Sequence, residues 1–141
     1  MDVILELEGR VRIERQHRTY VATWLRLNGP HYREACTAML DDVKKRGGLE
    51  CYVSDPSGAR DIQNQEDIFF ATAVVKELID RGCRRFIVVS PRSAVTKLAT
   101  NRMGRVVDDA GVERVMVETI DEALQLAGLS NASESSTMRP Q

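Results

Sequence analysis

The stretch RFIVVSPRSAVTKLATNRMGRVVDDAG, residues 85–111, decides the fold. After Arg85, its opening is an unbroken apolar run, Phe86-Ile87-Val88-Val89, as expected of a central strand covered on both faces of a parallel sheet. Ser90-Pro91 ends the strand. Val95, Leu98, Ala99, Met103, Val106 and Val107 then recur at helical spacing, predicting a helix over about 94–109 with these residues inward. Gly111 closes it. A strand passing directly into a helix is the unit of an α/β fold.

The alternation continues in both directions. Downstream, residues 112–118 contain a strand. Residues 121–127 form a short helix with Ala123, Leu124 and Ala127 on its apolar face. Upstream, residues 49–54 (LECYVS) form a strand, and Asp55-Pro56-Ser57-Gly58 is strong turn chemistry. A helix over about 65–81 is predicted to bury Ile68, Phe69, Thr72, Val75, Leu78 and Ile79, with Gly82 beyond it. Further back, Pro30 opens a helix carrying Tyr32, Ala35, Cys36, Met39, Leu40 and Val43 inward, and Gly47-Gly48 stop it.

The N-terminal segment reads differently. In GRVRIERQHRTYVATWLRLNG, residues 9–29, period-2 alternation on both sides of Gln16-His17-Arg18 predicts an antiparallel hairpin. Residues 3–7 (VILEL) are a strand or an ordered lead-in. Arg10, Arg12, Arg15 and Arg18 would blunt the hairpin's edge against strand addition, which favours a monomer or a weak, helix-mediated homodimer. The expected fold is a single α/β domain over residues 1–129: a mixed sheet with an N-terminal antiparallel hairpin followed by parallel strands alternating with helices. From Ser130 onward, NASESSTMRPQ carries too little apolar content to pack, and 130–141 is expected to be a disordered tail.

Composition narrows the function. The 141 residues include 20 basic and 21 acidic side chains, a formal net charge of −1, which does not favour bulk nucleic-acid binding. No stretch approaches the length of a membrane span, and the N-terminus lacks a signal-peptide pattern, so a cytoplasmic protein is expected. Cys36, Cys51 and Cys83 are far apart inside apolar runs and read as reduced core thiols. His17 and His31 have no cysteine at zinc-ligand spacing, and no Ser or Cys nucleophile is set beside them. Phosphate loops of the GxGxxG and GxxxxGK[ST] types are absent. No catalytic residue, metal site or cofactor is expected.

Ligands of open α/β sheets bind at the carboxyl ends of the strands, which selects three segments. The first is the loop from Ser54 and Asp55 to Gln65. The second, Ser90-Pro91-Arg92-Ser93 with Lys97 a turn later, is a candidate anion site at a helix N-terminus; simple helix capping by Ser90 or Ser93 is the plainer reading. The third is Glu118-Thr119. Asp61, Glu66 and Asp67 read as dipole-complementing residues at a helix start rather than an acid/base pair. The basic stretch from Arg81 to Arg105 reads as a solvated face, with docking of an acidic partner as the sharper alternative.

In this order of elements the chain resembles the STAS-like fold of sporulation anti-sigma-factor antagonists, in particular the bacterial SpoIIAA-like group, which is also similar to CRAL-TRIO lipid-transfer domains. The resemblance rests on RVRIERQHRTYVATWLRLNGP (10–30), CYVSDPSG (51–58), RRFIVVSP with VTKLATNRMGR (84–105) and ERVMVETIDEALQLAGL (113–129). It implies a non-catalytic regulatory or adaptor domain. Such a domain would bind a protein partner through residues 55–80, with Asp55, Ser57, Asn64, Gln65 and Asp67 as contact residues. The phosphorylatable Ser or Thr of the regulated members has no counterpart in Ile62-Gln63-Asn64-Gln65-Glu66-Asp67, which leaves Ser57 or Ser54 as the substitute. The alternative function is binding of a lipid or small molecule in an apolar pocket at the strand ends.

Overall fold

The computed structural model describes residues 1–129; the tail expected over 130–141 lies outside the described residues. Six strands form one sheet in the order β1-β2-β3-β4-β5-β6. β1 (Asp2–Leu7), β2 (Val11–Gln16) and β3 (Thr19–Trp24) are antiparallel neighbours. β4 (Cys51–Asp55), β5 (Arg85–Val89) and β6 (Glu113–Val117) follow β3 in parallel. The hairpin turn is His17-Arg18, with His17 at φ 58°, a left-handed conformation that His tolerates better than most residues.

Helices α1 (Pro30–Lys45), α2 (Gln65–Asp80) and α3 (Ala94–Asp109) make the three crossovers between parallel strands. The strand order always advances in one direction, so right-handed crossovers place all three helices on the same face. The short α4 (Ile120–Leu126) follows the last strand and covers the other face. Two cores result. Ile13, Tyr20, Ala22, Trp24, Tyr52 and Phe86 pack beneath the three long helices. Val21, Val53, Ile87, Val89 and Val117 pack against Ala123, Leu124 and Leu129. The alternation of a strand's side chains sorts adjacent residues such as Tyr52 and Val53 into different cores.

The expected α/β fold is therefore present, with α3 and β5 at their expected bounds. The lead-in is a true strand, β1, and this changes the edge. β2 is interior, Arg12 reaches Glu6 of β1 at 3.9 Å, and the edge carries Asp2 and Glu6 rather than the arginines. Gly48 is required as glycine: φ is +114°, and a Cβ there would lie 2.5 Å from the Arg81 carbonyl oxygen.

Two helical faces differ from the sequence expectation. In α2 the buried stripe is Asp67, Ala71, Val74 and Leu78, and Phe69 points outward, 71% exposed. In α3 the buried residues are Thr96, Gly104 and Val107, while Val95 and Leu98 are 53% and 63% exposed. Both helices bury small or polar side chains such as Asp67, Ala71, Thr96 and Gly104 beside their apolar ones, and leave Phe69, Val95 and Leu98 at the surface.

Candidate functional site

The consequence of those small inward side chains is a gap in the core. In the helix-facing layer, the pairing of β3 to β6 makes two cross-strand rows: Tyr20, Tyr52, Phe86 and Arg114, then Ala22, Ser54, Val88 and Met116. Central strands of an α/β sheet are normally covered on both faces. Here Ser54, Val88 and Met116 remain half-buried, while Val53, Ile87 and Val117 on the other face are buried. Ser54, Ala71, Ala99 and Gly104 converge on one place without filling it. A partly open cavity of about 90 Å³ runs beneath α3.

Its walls come from four directions. Tyr52, Ser54, Phe86, Val88 and Arg114 supply the floor; Ala71, Val74 and Val75 the α2 side; Thr96, Ala99, Thr100, Met103, Gly104 and Val107 the α3 side. Trp24, Leu27, Tyr32, Cys36, Pro56 and Gln63 close the end by the strand termini. Trp24 and Tyr32 pack with their rings tilted by 44° and centroids 4.8 Å apart, and Tyr52 meets Phe86 edge-on at 5.9 Å, so the aromatic wall is fixed in place. Leu25, Ile62, Phe69, Val95 and Leu98 are exposed, and each lies in a segment at the carboxyl end of the strands or in the first two turns of a helix that starts there.

The ionisable groups inside are held neutral. Burial pushes the Tyr52 and Tyr32 hydroxyls well above the ordinary phenol value. Burial also raises the Cys36 thiol to about 12, Cys83 to about 12 and Cys51 to about 11. A thiol so shifted is protonated at neutral pH and is a poor nucleophile. Arg114 is the charged group of the cavity. Its Nε and Nη2 donate to Asp108 at 3.0 and 2.8 Å, and that hydrogen bond holds the Asp108 carboxyl below the usual carboxylate value.

The residues expected to meet a partner are divided by the fold. Asp67 is 1% exposed; its carboxylate accepts from the Gly29 N–H at 3.0 Å and from Arg33 at 2.7 Å. Asn64 is exposed and caps α2, accepting from the Asp67 N–H at 2.8 Å. Its own N–H donates to the Asn28 side chain at 2.7 Å. Asp61 accepts from the Leu27 N–H, and Gln63 donates to the Leu27 carbonyl at 2.7 Å. These bonds staple the loop before α2 to the loop before α1. Asp55 is buried and accepts from the Ser57 N–H and, at 2.6 Å, from the Ser57 hydroxyl. Gln65 is exposed.

Of the candidate anion residues, Ser93 caps α3, accepting from the Thr96 N–H at 3.3 Å, and the Ser90 N–H donates to Val117. Arg92 and Lys97 are exposed. Thr119 caps α4, accepting from the Glu122 N–H at 3.2 Å. Two broader depressions are lined by charges that already pair, as Arg85 with Glu113 at 3.1 Å and Arg46 with Asp2 at 3.9 Å. Among the described residues no cluster of His, Cys, Asp and Glu is arranged to hold a metal, and no helix is long and apolar enough to cross a membrane.

Fold and cavity together define an α/β domain with a mostly apolar cleft between two helices and the sheet. No protein-family model, no curated protein and no solved structure matches this chain.

Proposed function

We propose that this domain is a non-catalytic binding module whose ligand is a small, largely apolar molecule held between α2, α3 and the sheet. The observation that carries this is the half-buried pair Ser54–Val88 on the central strands β4 and β5, which lines a cavity beneath helices that turn Ala71, Ala99 and Gly104 toward it. Ligand sites are concave and mostly apolar, with a few placed polar groups. Ser54, Tyr52, Thr96, Thr100 and Arg114 are among the polar groups of this one, with Tyr32 and Gln63 at its end wall. The raised thiols and phenols argue for binding rather than chemistry at neutral pH. Organic extraction of the purified protein, followed by mass spectrometry, should release a stoichiometric small molecule. Empty protein that also takes up no small aromatic probe overturns the reading.

A second reading, a protein partner on residues 55–80, is favoured by Phe69 and Ile62, which are 71% and 54% exposed in that segment. In it Asp67 and Asn64 act by shaping the loop, while Gln65, Ile62 and Phe69 make the contact. A STAS-like regulatory role belongs with this reading and is supported by the order of elements. A phosphate on Ser57 would add negative charge beside the buried Asp55 and expel the loop. A cognate kinase should then label the wild type and spare Ser57→Ala; equal labelling of both removes the switch.

A further inference from the structure

The cleft is mostly apolar and carries one charged group, Arg114, which lies flat under Gly104. A Cβ at position 104 would stand 2.6 Å from the Arg114 Cζ and Nε and 2.7 Å from Nη1. Any residue but glycine would therefore push the guanidinium away from the helix. Asp108 occupies Nε and Nη2, and Nη1 makes no hydrogen bond among the described residues. Thr96, 95% buried by its 5% exposure, and Thr100 line the same cleft, and neither hydroxyl is hydrogen-bonded among the described residues. Hydroxyls that line a cleft without a protein partner are free to hydrogen-bond a ligand or water.

We infer that the ligand of this cleft carries a carboxylate on a compact apolar body, the carboxylate accepting from Arg114 Nη1 beneath Gly104. The inference rests on the proposed cleft-binding function and narrows it to a chemical class. Size agrees: at roughly 10–15 Å³ per water-sized centre, the cavity takes about six to nine such centres, the scale of one ring with a carboxyl group. Charge agrees as well. A guanidinium has five N–H donors, of which Asp108 takes one on Nε and one on Nη2. Asp108 is 48% exposed, where water screens its charge, whereas Arg114 is 26% exposed and lines the cleft with Nη1 beneath Gly104. A carboxylate entering the cleft is therefore drawn to Arg114 more than it is repelled by Asp108.

Benzoate and benzamide are isosteric and differ in charge, so they separate the two levels of the proposal. Calorimetric titration at pH 7 should show benzoate binding at least about tenfold tighter than benzamide, the usual scale for a charge-assisted hydrogen bond. In Arg114→Gln the two should agree within about twofold, with benzamide affinity unchanged. Gly104→Ala, which moves the guanidinium and keeps the helix, should lose the same advantage. Equal affinity for both probes in the wild type, or a benzoate advantage that survives Arg114→Gln, overturns the acid while leaving the cleft reading intact. Binding of neither probe to wild type freed of any co-purified ligand overturns both.

Discussion

Asp67 at the start of α2 and Arg33 in α1 are joined at 2.7 Å, and the pair is lopsided: the Asp67 side chain is 1% exposed and the Arg33 side chain 39%. The carboxylate is the buried member, and it also receives the Gly29 N–H that opens α1. It fixes the approach of the two loops that close the cleft at the strand ends.

Removing the arginine should cost more than its exposure suggests, because it strands a buried charge. Arg33→Met is expected to lose about 3 kcal/mol in urea unfolding at pH 7. Adding Asp67→Asn should recover a large part of that loss, since the neutral amide no longer requires a cation. A double variant as unstable as Arg33→Met would show that the charge is not the reason.

The cysteines give a chemical and a pH signature. With Cys36 and Cys83 raised to about 12, the thiolate fraction at pH 8 is roughly one in ten thousand, so a thiol reagent should label the native chain only as it opens. Labelling should be fast in urea. The linkage sign follows from the direction of the shifts. The folded values of these thiols, and of Tyr20 at about 12, lie above the ordinary 9.0 and 10.0. Their contribution is complete below pH 9 and is lost as pH rises toward 12, so the denaturation midpoint should fall across that window. A flat profile between pH 8 and 11 would contradict the burial.

Filling the cleft tests whether it is an unfilled space. Ala99→Leu places a larger apolar group on the α3 wall of the cavity, which Val75 of α2 and Phe86 of the floor also line. It should raise stability by roughly 0.5–2 kcal/mol and abolish uptake of small aromatic probes. A destabilised protein that still binds would mean that residue 99 does not face the cleft.

Phe69 separates the two functional readings. Phe69→Ser should leave stability within about 0.5 kcal/mol, as for other exposed positions. Small-probe binding should persist. A protein partner docked on residues 55–80 should be lost in a quantitative pull-down, and an unchanged partner signal would remove Phe69 from that surface.

The fold was largely legible because its signals are local. The run Phe86 to Val89 between Gly82 and Pro91 fixed β5, and the hairpin followed from alternation around His17. The phases of α2 and α3 were not legible. Sequence periodicity favours the bulkiest apolar residues, and so placed Phe69, Val95 and Leu98 inward. The actual stripe of α2 begins with Asp67, whose burial depends on Arg33 and Gly29, more than 30 residues away. The cleft was illegible for the same reason: it exists because Ser54 of β4, Ala71 of α2, and Ala99 and Gly104 of α3 meet from three separate elements. The expected place, the strand ends, gave its mouth and not its floor. A signal was present in VTKLATNRMGR, where small and hydroxyl residues interleave with apolar ones in a helix that has to cover a sheet.

The most direct test is an NMR titration of the methyl-labelled protein with benzoate and benzamide. Saturable shifts are expected at Val75, Val88, Thr96, Ala99 and Met103, with Val21, Val53 and Ala123 on the opposite face unmoved. Shifts absent from those five methyls, or scattered over both faces without saturation, would contradict a ligand site between α2, α3 and the sheet.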